Sequence, residues 1–279
     1  MRNFFENITI KKLVLVYFFV VIFSIIVSEQ SYFKEITILD FNFWLVVINL
    51  LMFFWFMYKC VKSKIELKPI VEDFKCKFKW GEVIKVVCIN VILSLSFACL
   101  ALCLAYMISP EFCNKLLADT NENSSNTLSS LIFNCIGAVL LAPAVEECMF
   151  RGVILNRVKM KYGVFKAIIL SSILFGIMHA DLAFLGAFAF GIMMCLIYIK
   201  TENILITISI HAFNNFLVSL VQVISFFTSS SSGSSNISKS DIMLWLPISL
   251  VGFLVSGFFT VKYIKKNWPE KMQITESII

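Results

Sequence analysis

The sequence predicts an all-α integral membrane protein, a polytopic bundle of about eight transmembrane helices. Hydrophobic residues occupy 59% of the 279 positions and charged residues only 15%, whereas a soluble domain has about 45–50% and about 25%. The apolar residues gather in uncharged runs long enough to cross a bilayer, and the charged residues gather between those runs. We therefore expect a helical bundle with a lipid-facing surface.

The apolar runs define the predicted spans. The first follows Lys11 and Lys12 and resembles a signal peptide, but Val27-Ser28-Glu29 lacks the small-residue cleavage pattern, so we interpret it as a membrane helix. The fifth and sixth runs are short and are joined only by Asp181, so a broken or re-entrant pair is an open alternative there. The predicted spans are 13–28, 41–58, 86–110, 128–146, 167–180, 182–199, 204–227 and 242–261.

The distribution of Lys and Arg predicts the topology. Basic residues are frequent before the first span, in 59–85, in 157–166 and after the last span, whereas the alternate loops hold only Lys34, Lys115 and Lys239. The positive-inside rule then places both termini in the cytoplasm of a multi-pass cell-membrane protein. The net charge of +6 lies in short loops without an aromatic-interleaved basic face, so nucleic-acid binding is not expected.

The chain divides into three predicted regions. Residues 1–127 hold the first three helices and the cytoplasmic loop 59–85, 128–227 form a catalytic core, and 228–279 hold an outside Ser-rich loop, the last helix and a cytoplasmic tail. Segments 121–130 and 229–235 are rich in Asn, Ser or Gly and are typical of flexible connectors. Loop 59–85 is either a solvated loop, which we favour, or an interfacial amphipathic helix anchored by Trp80.

Polar residues inside the apolar runs indicate chemistry. The chain has two His, and both lie in predicted spans, where His179 follows Met178 and His211 precedes Ala212. A single membrane His is often a helix-packing hydrogen bonder, but here carboxylates accompany the pair. Charged groups within a bilayer usually face a cavity and have partners. The candidate site residues are Glu146, Glu147, Arg151, His179, His211 and Asn215.

The estimated depths of these residues in the membrane predict that they converge in one site. With the interface placed at Arg157, Lys166 and Glu202, the helical rise puts Glu146, His179 and His211 roughly 14–20 Å inside a hydrocarbon core of about 30 Å. His211 and Asn215 share one helix face, because they are four residues apart. Arg151 lies four residues after Glu147, so it can pair with Glu147 and leave Glu146 free, or it can orient both.

Two mechanisms fit these residue types. Glu146, His179 and His211 could bind a divalent metal, Zn²⁺ being the expected ion, and leave a position for water. Without metal, Glu146 could activate water directly while His211 and Asn215 stabilise the oxyanion. The absence of H-E-x-x-H argues against a zincin-like site, and the absence of G-x-S-x-G disfavours a serine protease.

The three motifs resemble a known family. E-E-x-x-x-R (Glu146, Glu147, Arg151), F-x-x-x-H (Phe175, His179) and H-x-x-x-N (His211, Asn215) are similar to the motifs of the CAAX-protease and bacteriocin-processing (CPBP, or Abi) family, which includes the CAAX prenyl endopeptidases. The resemblance covers about 130–220. It implies an eight-helix bundle with a conical cavity open toward the cytosol and the membrane. Glu146 would then activate water, His179 and His211 would bind metal or polarise the water, Asn215 would help hold the oxyanion, and Glu147 and Arg151 would support them.

Three functions are weighed on this basis. The first is an intramembrane endopeptidase acting on a membrane-associated peptide or protein, such as a bacteriocin or pheromone precursor or a CAAX-like C-terminus. The second is a non-catalytic immunity or partner protein for a secreted peptide on the same scaffold. The third is a small transporter or proton relay, which the absence of an evident inverted repeat disfavours. The intact Glu146, His179, His211 and Asn215 favour the endopeptidase.

Overall fold

A computed structural model describes residues 2–30, 36, 39–114, 127–179, 182–228 and 238–269. Within these ranges the chain is helical and contains no strand, which confirms the predicted all-α fold. Asp181, Lys34, Lys115 and the predicted connector 229–235, with most of 121–130, lie outside the described residues. The helices are α1 (Arg2–Glu6), α2 (Ile10–Ser28), α3 (Phe41–Lys62), α4 (Leu67–Lys77), α5 (Trp80–Ile108), α6 (Leu128–Met178), α7 (Phe184–Thr201), α8 (Ile204–Thr228) and α9 (Lys239–Asn267).

Seven of the described helices are long and apolar enough to cross a membrane, namely all except α1 and α4. Their outward side chains are large and apolar, as lipid contact requires. The chain is therefore a multi-pass membrane protein. The first predicted span, Leu13–Ser28, is confirmed as the greater part of α2.

Helix α6 folds back on itself at Gly163. Its 51 residues would extend about 76 Å as one straight helix, more than twice a hydrocarbon core of about 30 Å. Gly163 has φ 82° and ψ 170°, a conformation that glycine tolerates because it has no Cβ. Ser171 Oγ donates to the Phe150 carbonyl at 3.1 Å, so the arms 128–162 and 164–178 pack side by side. This turn reconciles seven long helices with about eight predicted spans.

Two π-helical segments distort the first arm of α6. They span Gly137–Leu141 and Cys148–Leu155 and enclose the single α-helical stretch Ala142–Glu147. π-Helical backbone is rare and occurs frequently at functional sites, because it redirects side chains and frees backbone groups. The predicted carboxylate pair thus lies at the end of a short α-helical stretch between two irregular ones.

Loop 59–85 contains a docked helix. Asn203 Nδ2 donates to the Ile70 carbonyl and to Asp73 Oδ2, both at 2.9 Å, and Lys77 Nζ donates to the Thr201 carbonyl at 2.8 Å. These bonds hold α4 against the connection between α7 and α8. The favoured prediction of a solvated loop is wrong for α4, because tertiary hydrogen bonds fix it as a helix.

Candidate active site

Glu147 is the buried anchor of the site. Its side chain is fully buried, and Oε1 accepts from Arg151 Nη1 and from His211 Nδ1, both at 2.9 Å. Arg151 is equally buried, donates through Nη2 to the Gly191 carbonyl at 3.3 Å and lies 4.5 Å from the centre of the Phe175 ring. Of the two predicted arrangements, the structure shows Arg151 paired with Glu147. A buried ion pair of this kind holds the three helices that contribute to it in one register.

Glu146, in contrast to Glu147, lines an open cavity. Its Oε2 lies 3.8 Å from His179 Nε2 and 3.9 Å from His211 Nε2. This oxygen is buried and has no hydrogen-bond partner among the described residues, although the side chain as a whole retains 18% exposure. An unsatisfied buried carboxylate oxygen is costly, and this one is available to accept a hydrogen bond from a group that enters the cavity.

The hydrogen-bond partners determine the tautomer of each imidazole. His179 Nδ1 lies 2.8 Å from the Phe175 carbonyl, which can only accept, so Nδ1 carries the proton. His211 Nδ1 donates in the same way to the Glu147 carboxylate. With the proton on Nδ1, the Nε2 atom of each ring lies toward Glu146, and in the neutral form of the ring that atom carries a lone pair. Three acceptor atoms converge, and only a donor or a cation between them can satisfy all three.

Asn215 compensates for the irregular backbone of α6. The Ala142 N–H bonds to Gly137 in the π register, and the residue that would serve Ala138 in that register is Pro143, which has no N–H. Asn215 Nδ2 donates to the freed Ala138 carbonyl at 2.8 Å. Asn215 was predicted to donate to the oxyanion. One of its side-chain N–H groups is instead used in a structural hydrogen bond, and the second N–H is available to donate.

A row of amides extends from Asn215 into α5. Asn214 Nδ2 donates to Asn215 Oδ1 at 3.2 Å, and Asn90 Nδ2 donates to Asn214 Oδ1 at 3.0 Å. The sequence prediction missed Asn90 and Asn214. A detectable signal was present, because each is an amide inside an apolar span and Asn214 lies three residues after His211.

Two cavities meet at the site. The first, of about 450 Å³, is lined by Glu146, His179, Asn215 and further amides from α3 and α6. The second, of about 470 Å³, is lined by His179, His211 and Asn215 and is otherwise mostly apolar. His179 and Asn215 line both, as do Val218 and Gln222. Each volume falls within the roughly 300–1,000 Å³ typical of ligand sites.

The predicted metal ligands have suitable chemistry but a wide spacing. Ligands of a tetrahedral Zn²⁺ ion lie about 3.4 Å apart, given metal–ligand bonds of about 2.0–2.1 Å, whereas Glu146 Oε2 lies 3.8 and 3.9 Å from the two Nε2 atoms. Among the described residues, no group of three or more His, Cys, Asp or Glu side chains is arranged to hold a metal ion. The observed spacing is thus about 0.4–0.5 Å wider than that of a tetrahedral Zn²⁺ site.

The structure brings all six predicted site residues together from α6, its second arm and α8. Glu147, Arg151 and His211 form the buried hydrogen-bonded set, and Glu146, His179 and Asn215 line the first cavity.

Comparison with known proteins agrees with the motifs. Residues 128–217 match the model of the Rce1-like family, described as type II CAAX prenyl endopeptidase Rce1-like. The chain is also 34% identical over 85 residues to a Bacillus subtilis (strain 168) protein named "Putative membrane peptidase YdiL". That match covers 30% of this chain and 35% of the relative, so the chain spans about a third of the relative's length. No solved structure matches the chain. The segment that matches the family model holds all six site residues and the three motifs, so this part of the chain is similar to the type II CAAX prenyl endopeptidase Rce1-like family.

Proposed function

We propose that this protein is an intramembrane endopeptidase that hydrolyses a peptide bond of a membrane-associated peptide or protein. The observation that carries the proposal is the convergence of Glu146 Oε2 with the Nε2 lone pairs of His179 and His211, at 3.8 and 3.9 Å. A water molecule between them would donate one hydrogen to the carboxylate and the other to an imidazole. Such a water is held by acceptors alone, which raises electron density on its oxygen and makes it a nucleophile.

The reaction follows from this arrangement. Glu146 takes a proton from the water as its oxygen bonds to the substrate carbonyl carbon, and the carbonyl π electrons move to oxygen. When the tetrahedral intermediate collapses, the C–N bond breaks and Glu146 returns the proton to the leaving amine. We assign stabilisation of the oxyanion to the second N–H of Asn215, whose first N–H is fixed on Ala138.

Glu147 and Arg151 act as positioning residues in this proposal. Glu147 accepts the His211 Nδ1 proton and thereby keeps the Nε2 lone pair directed at the water. Arg151 keeps Glu147 ionised and in place. In this tautomer His211 Nε2 cannot donate to an oxyanion unless the ring takes a second proton, so the structure supports the water-polarising role of His211 over the oxyanion role.

A divalent metal remains a separate proposal for the same three side chains. Glu146, His179 and His211 would hold the ion, and Zn²⁺ would supply acidification of the bound water. Each Nε2 atom would have to approach Glu146 by about 0.4–0.5 Å to reach tetrahedral ligand spacing. Metal analysis of the purified protein, together with thermal unfolding before and after chelator treatment, tests this. An unchanged unfolding temperature and no stoichiometric metal would contradict it.

The substrate class is also proposed. A bacteriocin or pheromone precursor, or a CAAX-like C-terminus, offers an unstructured chain at the membrane, and the two cavities that share His179 in their lining provide about 450 and 470 Å³. The family match and the name of the relative support peptidase activity in general.

Cleavage of defined precursors tests the proposal. Purified protein in lipid nanodiscs is supplied with synthetic precursor peptides, and products are identified by mass spectrometry. We expect cleavage by the unaltered protein and by the control Glu72→Gln, which changes an exposed carboxylate outside the site. Glu146→Ala and His179→Ala should abolish it. Full biological activity of both site variants in cells would refute the enzymatic function and favour the non-catalytic partner role.

A further inference from the structure

One buried amide of α5 has an unused acceptor. Asn90 is 5% exposed in an otherwise apolar run that includes Val86, Val87 and Leu93. Its Oδ1 is buried and has no hydrogen-bond partner among the residues that the structure describes. Such an acceptor is costly in the apolar part of a membrane helix. The bond that joins α5 to α8 uses only the Nδ2 donor of Asn90, which binds Asn214, so helix packing does not account for Oδ1.

The orientation of this amide is fixed from the far end of the row of amides. The Ala138 carbonyl can only accept, so Asn215 must turn Nδ2 toward it and Oδ1 toward Asn214. Asn214 then donates to that oxygen through its own Nδ2, which leaves its Oδ1 to accept from Asn90. Reversing one amide alone would place two acceptors or two donors against each other. The row therefore ends on Asn90 with an unused acceptor.

The free end of the row lies at the wall of the second cavity. Asn90 lines this cavity of about 470 Å³ together with His179, His211 and Asn215. The rest of the wall is mostly apolar. An extended peptide that enters an apolar cavity brings backbone N–H groups, and each of them needs an acceptor there. Asn90 supplies such an acceptor on the wall that also holds the two imidazoles.

Packing holds α5 in place at this level of the bundle. Ser94 lies one helical turn after Asn90 on the same face, and it also lines the second cavity. It packs against Gly186 of α7, where an added Cβ would overlap the Ser94 hydroxyl. The helix is thus fixed by this close approach and the side chain of Asn90 by its bond to Asn214. A partner for Oδ1 must therefore come to Asn90 from the cavity.

We propose that Asn90 is a substrate-binding residue whose Oδ1 accepts a hydrogen bond from a backbone N–H of the peptide in the second cavity. This rests on the proposed function, since the peptide is the substrate of that hydrolysis. Two hydrogen bonds of 3.0 and 3.2 Å and one amide separate Asn90 from Asn215. At about 3.3 Å per residue of an extended chain, the bound N–H lies within about three residues of the cleaved bond.

Binding of ester-substituted peptides tests the contact without requiring catalysis. The probe is the synthetic precursor peptide that binds most tightly to the Glu146→Ala protein in lipid nanodiscs, measured by fluorescence anisotropy with empty nanodiscs as the blank. An ester in place of one amide removes one backbone N–H and keeps the shape of the chain. We expect one position at which the ester weakens binding about three- to tenfold, the contribution of one hydrogen bond. Adding Asn90→Leu to the same protein should remove that penalty.

Three further variants separate the acceptor from the packing of α5. Cys88→Leu is the matched control, because Cys88 is an exposed residue of the same helix that lines neither cavity, and it should leave the ester penalty unchanged. Asn90→Asp keeps an oxygen acceptor in either protonation state and should retain the penalty. Asn90→Ala provides a second variant without the acceptor, should Asn90→Leu fail to fold.

The outcomes distinguish this proposal from the proposed function. The same ester profile with and without Asn90→Leu would overturn the role of Asn90, and so would a series in which no ester weakens binding. Absence of binding by every peptide, or a sensitive N–H more than about three residues from the cleaved bond, would also overturn it. If the tightest-bound peptide is not cleaved by the unaltered protein, the proposed function fails, while the ester series still decides the role of Asn90.

Discussion

The two adjacent glutamates should respond in opposite ways to removal. Glu147 is fully buried and holds both Arg151 and His211 at 2.9 Å, so Glu147→Ala leaves a buried guanidinium without its counter-charge. Breaking a buried pair by removing one partner costs about 3–5 kcal/mol. For a chain of this size we expect the unfolding temperature to fall by the order of 10 °C.

Glu146→Ala should leave the fold nearly unchanged. Glu146 Oε2 is buried without a partner among the described residues, so its removal eliminates an unsatisfied group that costs about 1–3 kcal/mol. We expect an unfolding temperature equal to or above that of the unaltered protein, together with loss of cleavage. We therefore expect removal of Glu147 to lower the stability of the protein and removal of Glu146 to abolish catalysis.

Thermal unfolding in detergent, followed by size-exclusion chromatography of the folded fraction, measures the contrast. The control is Glu147→Leu combined with Arg151→Leu, which removes both charges and should recover most of the lost stability without restoring activity. Equal unfolding temperatures for the two Glu→Ala variants would refute the division of roles. So would a double variant that is no more stable than Glu147→Ala.

Three further predictions concern the scaffold. Gly152→Ala should destabilise by about 1–3 kcal/mol in thermal unfolding, because its Cβ would lie 2.6 Å from the Phe5 ring, and adding Phe5→Leu should recover part of the loss. Asn215→Leu should cost about 1–3 kcal/mol by leaving a carbonyl unpaired, and less in a Pro143→Ala background, where a new N–H can serve that carbonyl; additive losses would contradict this. Hydrogen bonds from neighbouring side chains lower the pKa of Asp73, so its contribution to docking α4 is present above about pH 4 and is lost as pH falls through the lowered pKa. Proteolysis of α4 should then increase at low pH, and Asp73→Asn should remove that pH dependence.

Much of the site was predictable because its constraints are local. A charged group in a membrane span needs a partner of opposite charge. Arg151 lies four residues after Glu147, so the sequence itself indicated this pair. The spacing of Glu146, His179 and His211 from charged residues at the predicted interface was sufficient to predict convergence. The break between the arms of α6 was predictable as two spans, although its position at Gly163 depends on a positive φ angle.

The remaining features depend on contacts between distant segments. The docking of α4 rests on Asn203, which lies 133 residues from the Ile70 carbonyl it binds, so no local pattern indicates it. The same is true of Asn90 and Asn214, which join α5 to α8 across 124 residues. The π register of α6 is fixed by packing and by Asn215, and the sequence around Pro143 indicates only that a hydrogen bond is missing there.

The most direct measurement of the central claim is chemical rescue of a missing carboxylate. Glu146→Ala should reduce the rate of peptide cleavage by about 10²–10⁴-fold, the contribution of a positioned general base. Glu146 lines a cavity of about 450 Å³, so added formate should enter and restore part of the rate, with the recovered rate rising with formate concentration. Glu147 is sealed from that cavity, so Glu147→Ala should not respond. Equal rescue of both variants, or a wild-type rate in Glu146→Ala without formate, would contradict the assignment of Glu146 as the residue that activates water.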